Sequence, residues 1–246
     1  VSKNKLAKYA EIGVFENVIE ALYRQLNNED FYLKENWATR VFGNQNPVIL
    51  ELGCGKGEYT VQLGEKYPET NFIGVDIKGA RLHTGAKQAL EKGLKNVAFL
   101  RTNIEVIAHF FAPGEVAEIW LTFPDPQMKK ASRRLTSSFF LERYRQMLVE
   151  GGIIHLKTDS NFQYTYTSEL AHLNQFEILA ETRDLYESEY LNELLQIKTF
   201  YEKQWLDRGI KIKYIAFTLH NNEIREPEIE IERDEYRSFG RSARDL

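Results

Sequence analysis

Apolar positions along the chain change period several times, and those changes mark out its elements. Between Pro47 and Leu219, short apolar and β-branched runs alternate with stretches where apolar residues return every three to four positions. The pattern predicts strands at Val48–Leu52, Phe72–Val75, Val97–Arg101 and Glu118–Thr122, separated by helices at Glu58–Lys66, Lys78–Lys92 and Ile104–Phe111. A helix at Phe139–Val149, a strand at Ile153–Lys157, a helix at Ser160–Leu173 and strands at Phe176–Ala180 and Ile212–Leu219 follow. Helices between short apolar strands imply right-handed crossovers, hence an α/β fold with a mostly parallel sheet and helices on both faces. Ahead of this body, Phe15, Val18, Ile19, Leu22 and Leu26 fall at helical spacing, which predicts an amphipathic helix over Val14–Leu26. Lys3–Lys8 reads as a poorly ordered basic end, and Asn27–Asn46 as a connecting segment. After it, Glu228-Ile229-Glu230-Ile231-Glu232 alternates with strand period, as an edge strand or partner contact would. The organisation expected is an N-terminal extension over residues 1–46, one α/β domain over 47–222 and an acidic tail over 223–246.

The first strand ends in Glu51-Leu52-Gly53-Cys54-Gly55-Lys56-Gly57, a tight turn into a helix. Glycines at Gly53 and Gly55 let a ligand approach the backbone, and the helix start offers unpaired amide hydrogens. The string is not G-x-G-x-x-G, and Gly57 stands where a phosphate-cradling loop needs Ser or Thr after its lysine. Carboxylates at Glu51 and Glu58 would repel a pyrophosphate. A cofactor that carries positive charge and no phosphate fits better, and S-adenosylmethionine, with an ammonium, a sulfonium and a ribose diol, is such a molecule. Asp76, at the end of the second strand, stands where a ribose hydroxyl needs an acceptor, and Asn103 and Asp125 follow the next two strand ends. Asn103 can hydrogen-bond an adenine edge.

Composition narrows the class. At 246 residues the chain suits one domain with appended elements, and no apolar run reaches the length of a membrane span. Its single cysteine, Cys54, reads as a small packing residue in a reducing, cytoplasmic compartment. The five histidines are scattered, which argues against a metal site. Trp37, Trp120 and Trp205 read as packing residues. A net charge of −4 conceals a basic cluster, Lys129, Lys130, Arg133 and Arg134, suited to gripping phosphates.

That cluster follows Phe123-Pro124-Asp125-Pro126, in which two prolines fix an aspartate at the expected cofactor mouth. With the glycine turn, the Lys-Lys and Arg-Arg-Leu-Thr run and Thr199-Phe200-Tyr201-Glu202, the chain resembles the bacterial single-chain tRNA (guanine-N7-)-methyltransferases. The resemblance spans roughly residues 42–217. It implies a Rossmann-like class I S-adenosylmethionine-dependent methyltransferase with a mostly parallel seven-stranded sheet, acting as monomer or homodimer on a variable-loop guanine of tRNA. It further implies cofactor contacts at Glu51, Gly53, Gly55, Asp76, Asn103 and Asp125, with Asp125 also the catalytic residue. Substrate contacts are implied at Lys129, Asp159, Thr199, Phe200, Tyr201 and Glu202. The family commonly continues with Trp-Pro and a longer basic insert where Gln127-Met128 stand here, and the tail beyond His220 exceeds its usual end. Two rivals on the same fold are a small-molecule methyltransferase and a catalytically silent RNA-binding protein.

Overall fold

A computed structural model describes residues 3–21 and 31–235. Its centre is one eight-stranded sheet: β1 (Val18–Glu20), β2 (Val48–Leu52), β3 (Asn71–Val75), β4 (Val97–Arg101), β5 (Val116–Thr122), β6 (Leu148–Thr158), β7 (Ile178–Thr182) and β8 (Lys213–Thr218). Their order across the sheet is β1-β4-β3-β2-β5-β6-β8-β7. The first six strands run parallel, and β8 pairs antiparallel with both β6 and β7. The continuous apolar runs are those of strands buried on both faces: every residue of β2 and β3 is buried.

Two helical layers cover the sheet. On one face, α2 (Glu58–Lys66) and α3 (Gly79–Glu91) pack with the excursion around Leu185–Ile212 against Ile49, Phe72, Phe99 and Trp120. On the other, the 3-10 segment Ile104–His109, α4 (Ser138–Arg145) and α5 (Asn161–Leu173) cover Leu50, Ile73, Ile119, Leu156 and Phe217. All parallel strands therefore deliver their carboxyl ends to one edge, where the β2–α2 and β5–α4 connections lie.

Several expectations are corrected. The eighth strand comes from the span expected to be a helix: Val18–Glu20 pairs with Phe99–Arg101, and Phe99 donates its N–H to Asn17 at 2.8 Å. Apolar spacing misled there because Val18 and Ile19 satisfy both periods, and the open edge of β4 decides between them; residues 22–26 lie outside the described span. Lys3–Ile12 is an ordered helix, α1. It lies against α3 through buried Ile12, and Gly79 leaves it room, since a Cβ there would stand 2.7 Å from Ile12 Cδ1 and Tyr9 Cε1. The helix expected over Phe139–Val149 stops at Arg145, because Leu148 pairs with Val116 and starts β6 early. The strand expected at Phe176 starts instead at Ile178, because Phe176 donates its N–H to Ala171 and closes α5.

The alternating tail forms no strand among its described residues. Instead it runs back over α4 and α5, where Glu226 accepts the Ser138 N–H at 2.7 Å and Asp234 accepts the Phe162 N–H at 3.1 Å and the Ser160 hydroxyl. These carboxylates satisfy amide hydrogens at two helix starts, where negative charge is favoured.

Candidate active site

Two clefts open on the carboxyl edge of the sheet and share Gly53. The larger, about 320 Å³, is lined by Asp76, Lys78, Asn103, Asp125, Arg133 and Leu135 among others. The smaller, about 110 Å³, is lined by Glu51, Gly55, Lys56, Arg81, Thr199 and Tyr201 among others. The turn between them holds Gly53 at φ +80 and Gly55 at φ +57, a region L residues rarely enter. An added Cβ at Gly53 would meet only Leu135 Cδ1 at 3.7 Å, so the backbone itself faces open space. Gly57 serves packing instead: its Cβ would fall 2.5 Å from Phe99 Cε1.

Asp76 fixes this turn. Its carboxylate accepts the Gly55 N–H at 3.0 Å and the Lys78 N–H at 2.7 Å, leaving further lone pairs toward the larger cleft. Asn103 is exposed at the same cleft and makes no cap bond to the 3-10 segment it begins.

Glu51 has a different environment. It is 4% exposed at the floor of the smaller cleft and accepts the Thr60 N–H at 2.9 Å and the hydroxyls of Thr60 and Thr122. Burial outweighs those donors and pushes its carboxyl up to about 7, with the charge of Asp76 adding in the same direction. A cation entering this cleft would compensate the carboxylate. Cys54, beside it, is buried in the packing of α2 and α3, and burial raises its thiol well above the usual range.

Asp125 sits exposed on the rim of the larger cleft, and its carboxylate accepts the Gln127 N–H at 3.1 Å. Lys129, Lys130 and Arg133 are also exposed, and Arg133 lines the cleft with Asp125. Lys129 lies outside the lining of both clefts. Arg134 departs from the expected phosphate-gripping cluster: it turns inward onto the rings of Phe162 and Tyr166.

The Thr199-Phe200-Tyr201-Glu202 motif starts α6 (Phe200–Asp207) with Thr199 as its N-cap, Thr199 Oγ1 accepting the Glu202 N–H at 3.3 Å. Phe200 is 50% exposed and Tyr201 43%, their rings 5.7 Å apart and nearly perpendicular, with Lys56 4.9 Å from the Phe200 centroid. Phe200 donates its N–H to Glu58 at 2.7 Å, which pins this aromatic pair to the glycine turn.

Glu202 and Asp159, expected to touch substrate, are fully buried and line neither cleft. Glu202 pairs with Lys157 at 2.8 Å and accepts the Tyr186 hydroxyl at 2.6 Å. Lys157, also fully buried, donates to the carbonyls of Leu195 and Ile197 at 2.8 and 2.9 Å, so one cation gathers the segment that leads into α6. Burial lowers its ammonium below the usual lysine range, and Glu202 offsets part of that shift. Asp159 offers its carbonyl to Lys213 Nζ at 2.8 Å beneath the α5 start. Sequence reasoning did not single out Lys157, Thr60 or Thr122; a lysine closing the apolar run Ile153–Leu156 was the one available signal.

The donor set fits a cofactor such as S-adenosylmethionine: one buried carboxylate, an acid on the glycine turn, an exposed amide, and cations at Lys56 and Arg81 for a carboxylate. Among the described residues no group of three or more His, Cys, Asp or Glu is placed to hold a metal ion, and no helix is long and apolar enough to cross a membrane.

Comparison with known proteins points the same way. A family model described as "Putative methyltransferase" matches residues 45–215. The tRNA (guanine-N(7)-)-methyltransferase of Bacteroides fragilis is 58% identical over 245 residues, 99% of this chain and 97% of that protein. The protein of the same description from Porphyromonas gingivalis is 55% identical over 94% of this chain and 96% of its own length. Among solved structures, an antibiotic-related methyltransferase has a TM-score of 0.56 at 19% identity, covering 78% of this chain and 96% of its own. The 16S rRNA methyltransferase KamB has 0.55 at 13%, covering 73% and 91%. At such identities these two bear on the fold alone.

Proposed function

Because the chain belongs to the tRNA (guanine-N7-)-methyltransferase family, we propose that it transfers a methyl group from S-adenosylmethionine to N7 of a variable-loop guanine in tRNA, in the cytoplasm. The observation that carries this reading is the juxtaposition at Gly53. Asp76, Asn103 and Asp125 line one cleft, and Glu51 lines the other together with Thr199 and Tyr201 of the α6 start.

The cofactor, when bound, supplies an electrophilic methyl group on a sulfonium. Guanine N7 carries a lone pair and no proton, so no side chain need remove a hydrogen from the nucleophile. Asp125 has the exposure and rim position to accept guanine N–H groups and align the base. Orientation of this kind is worth about 7–11 kcal/mol of barrier in well-aligned intramolecular reactions. Asp76 and Asn103 would hold the ribose and adenine, and Glu51 would answer the cationic end. Phe200 and Tyr201 offer exposed rings for stacking a neighbouring base, and Lys129, Lys130 and Arg133 offer charge to phosphates. Glu202 and Asp159 act in this reading from beneath, by holding the α6 and α5 starts.

A tRNA transcript carrying 7-deazaguanine at the modified position tests the assignment, since it removes only the proposed nucleophile. Methyl transfer to the unmodified transcript and none to the 7-deaza form is expected. Equal transfer to both would place the reaction on another atom.

A further inference from the structure

The loop that carries Asp125 is held in an unusual backbone state. Phe123 at φ +51 and Gln127 at φ +46 both occupy the left-handed region, one on each side of Pro124-Asp125-Pro126. Non-glycine residues persist there only when their surroundings over-determine them. Phe123 donates its N–H to the Lys157 carbonyl at 2.8 Å, and on the Gln127 side Arg134 joins the Lys130 N–H in supplying the constraint. Arg134 Nε and Nη2 donate to the carbonyls of Gln127 and Met128, each at 3.4 Å. The guanidinium lies 4.3 Å from the ring centroid of Tyr166 and 4.7 Å from that of Phe162. Tyr166 is 2% exposed, and its hydroxyl donates to Glu226 of the tail, whose other carboxylate oxygen takes the Ser138 N–H at 2.7 Å. A continuous line of contacts therefore runs from the tail, through Tyr166 and Arg134, to the backbone beneath Asp125.

We propose that Arg134 is a positioning residue, seated on Tyr166 and Phe162 and braced by Glu226, that fixes Asp125 at the cleft rim, so that the C-terminal arm governs methyl transfer without touching the substrate. The proposal rests on the methyltransferase reading above. Guanidinium chemistry suits the place: a planar cation stacks on rings with its faces while its edge donates to two successive carbonyls, which an ammonium cannot do. The competing role for Arg134, a phosphate contact, needs only a charge.

Arg134→Lys separates the two, with Arg133→Ala, Tyr166→Phe and Glu226→Ala beside it. Each variant is assayed for kcat and KM on tRNA at two salt concentrations. Each is also exposed to brief native-state trypsin, which cuts after Lys129, Lys130 and Arg133 when the loop opens. Arg134→Lys is expected to lower kcat by about tenfold or more with KM and salt dependence near wild type, because small misplacement of a reacting group is costly. Loop cleavage should accelerate about fivefold or more while cleavage in α6, after Lys203, stays constant, which marks local rather than global opening. Tyr166→Phe and Glu226→Ala should show the same two changes at about threefold, and neither should add to Arg134→Lys, as expected for members of one network. Arg133→Ala should instead raise KM and flatten the salt dependence. The proposal is overturned if Arg134→Lys keeps kcat and protection, if Arg134 variants behave like Arg133→Ala, or if Glu226→Ala changes neither kcat nor cleavage. Should the wild-type chain fail to methylate tRNA, the functional reading falls, and the trypsin comparison alone still decides whether Arg134 and Glu226 hold the loop.

Discussion

Glu51→Gln ought to make the empty protein more stable in mild alkali and leave it unable to hold its cofactor well. The substitution keeps the shape of a side chain that is 4% exposed and removes its charge. Burial raises the Glu51 carboxyl from its ordinary 4.5 to about 7 in the folded chain. A folded-state value above the unfolded one means that folding is favoured by the proton. The contribution is fully present below about pH 4.5 and is lost as pH rises through 7. That difference corresponds to about 3 kcal/mol of cost for the ionised form at pH 8. Glutamine avoids the cost, since its carbonyl can accept from Thr60 and its amide can donate to the Thr122 hydroxyl. Urea unfolding of both proteins from pH 4 to pH 8 should show a stability difference near zero at the acid end, growing toward about 3 kcal/mol in favour of glutamine at the alkaline end. Calorimetric titration with S-adenosylmethionine should show the opposite preference, with affinity about a hundredfold lower in the variant, the scale of a lost charge-assisted bond. Wild-type binding near pH 6.5 should release a proton. A stability difference independent of pH would show that Glu51 is comfortably ionised without a ligand. Equal cofactor affinity would show that its charge is not meant for one.

Other expectations follow from the geometry. Lys157→Ala leaves Glu202 charged and unpaired in the interior and should destabilise the fold by about 3–5 kcal/mol, whereas Lys157→Met with Glu202→Leu should recover much of it; denaturant titration reads both, and equal stability of single and double variants would contradict the pairing. Gly57→Ala combines φ +70 with a Cβ 2.5 Å from Phe99 and should cost about 2 kcal/mol or more in thermal unfolding, while Gly43→Ala, at φ +68 with nothing within 4 Å, should cost clearly less. Replacing Lys129 and Lys130 by alanine should weaken tRNA binding and lower the slope of log affinity against log salt by about one for each phosphate no longer neutralised; an unchanged slope would remove this loop from the RNA interface.

The sequence carried the sheet because parallel strands buried on both faces leave uninterrupted apolar runs, as at Val48–Leu52, and α2 has the bounds its pattern predicted. It could not carry β1, whose three residues are decided by an open edge rather than by their own periodicity. The tail failed for a related reason: alternation in Glu228–Glu232 looks like a strand, but the neighbouring carboxylates Glu226 and Asp234 are spent on the starts of α4 and α5. At the site, the glycine turn and the acids at strand ends were legible because their positions follow from chain direction alone. Which charged side chains turn inward was not. Glu202 and Arg134 share motifs with exposed neighbours, and only their tertiary contacts with Lys157 and Tyr166 show that they build the site from behind; Asp159 belongs to a stretch, Thr158–Ser160, that is buried throughout.

Single-turnover methyl transfer from labelled S-adenosylmethionine to unmodified tRNA, with the labelled nucleotide mapped and Asp125→Ala run in parallel, tests reaction and site together. Label is expected in one N7-methylguanine of the variable loop, with a rate about a hundredfold or more lower in the variant, as misplacement of the base would produce. Label elsewhere would place the reaction on another nucleotide or atom, and an unaltered rate in Asp125→Ala would remove Asp125 from the site.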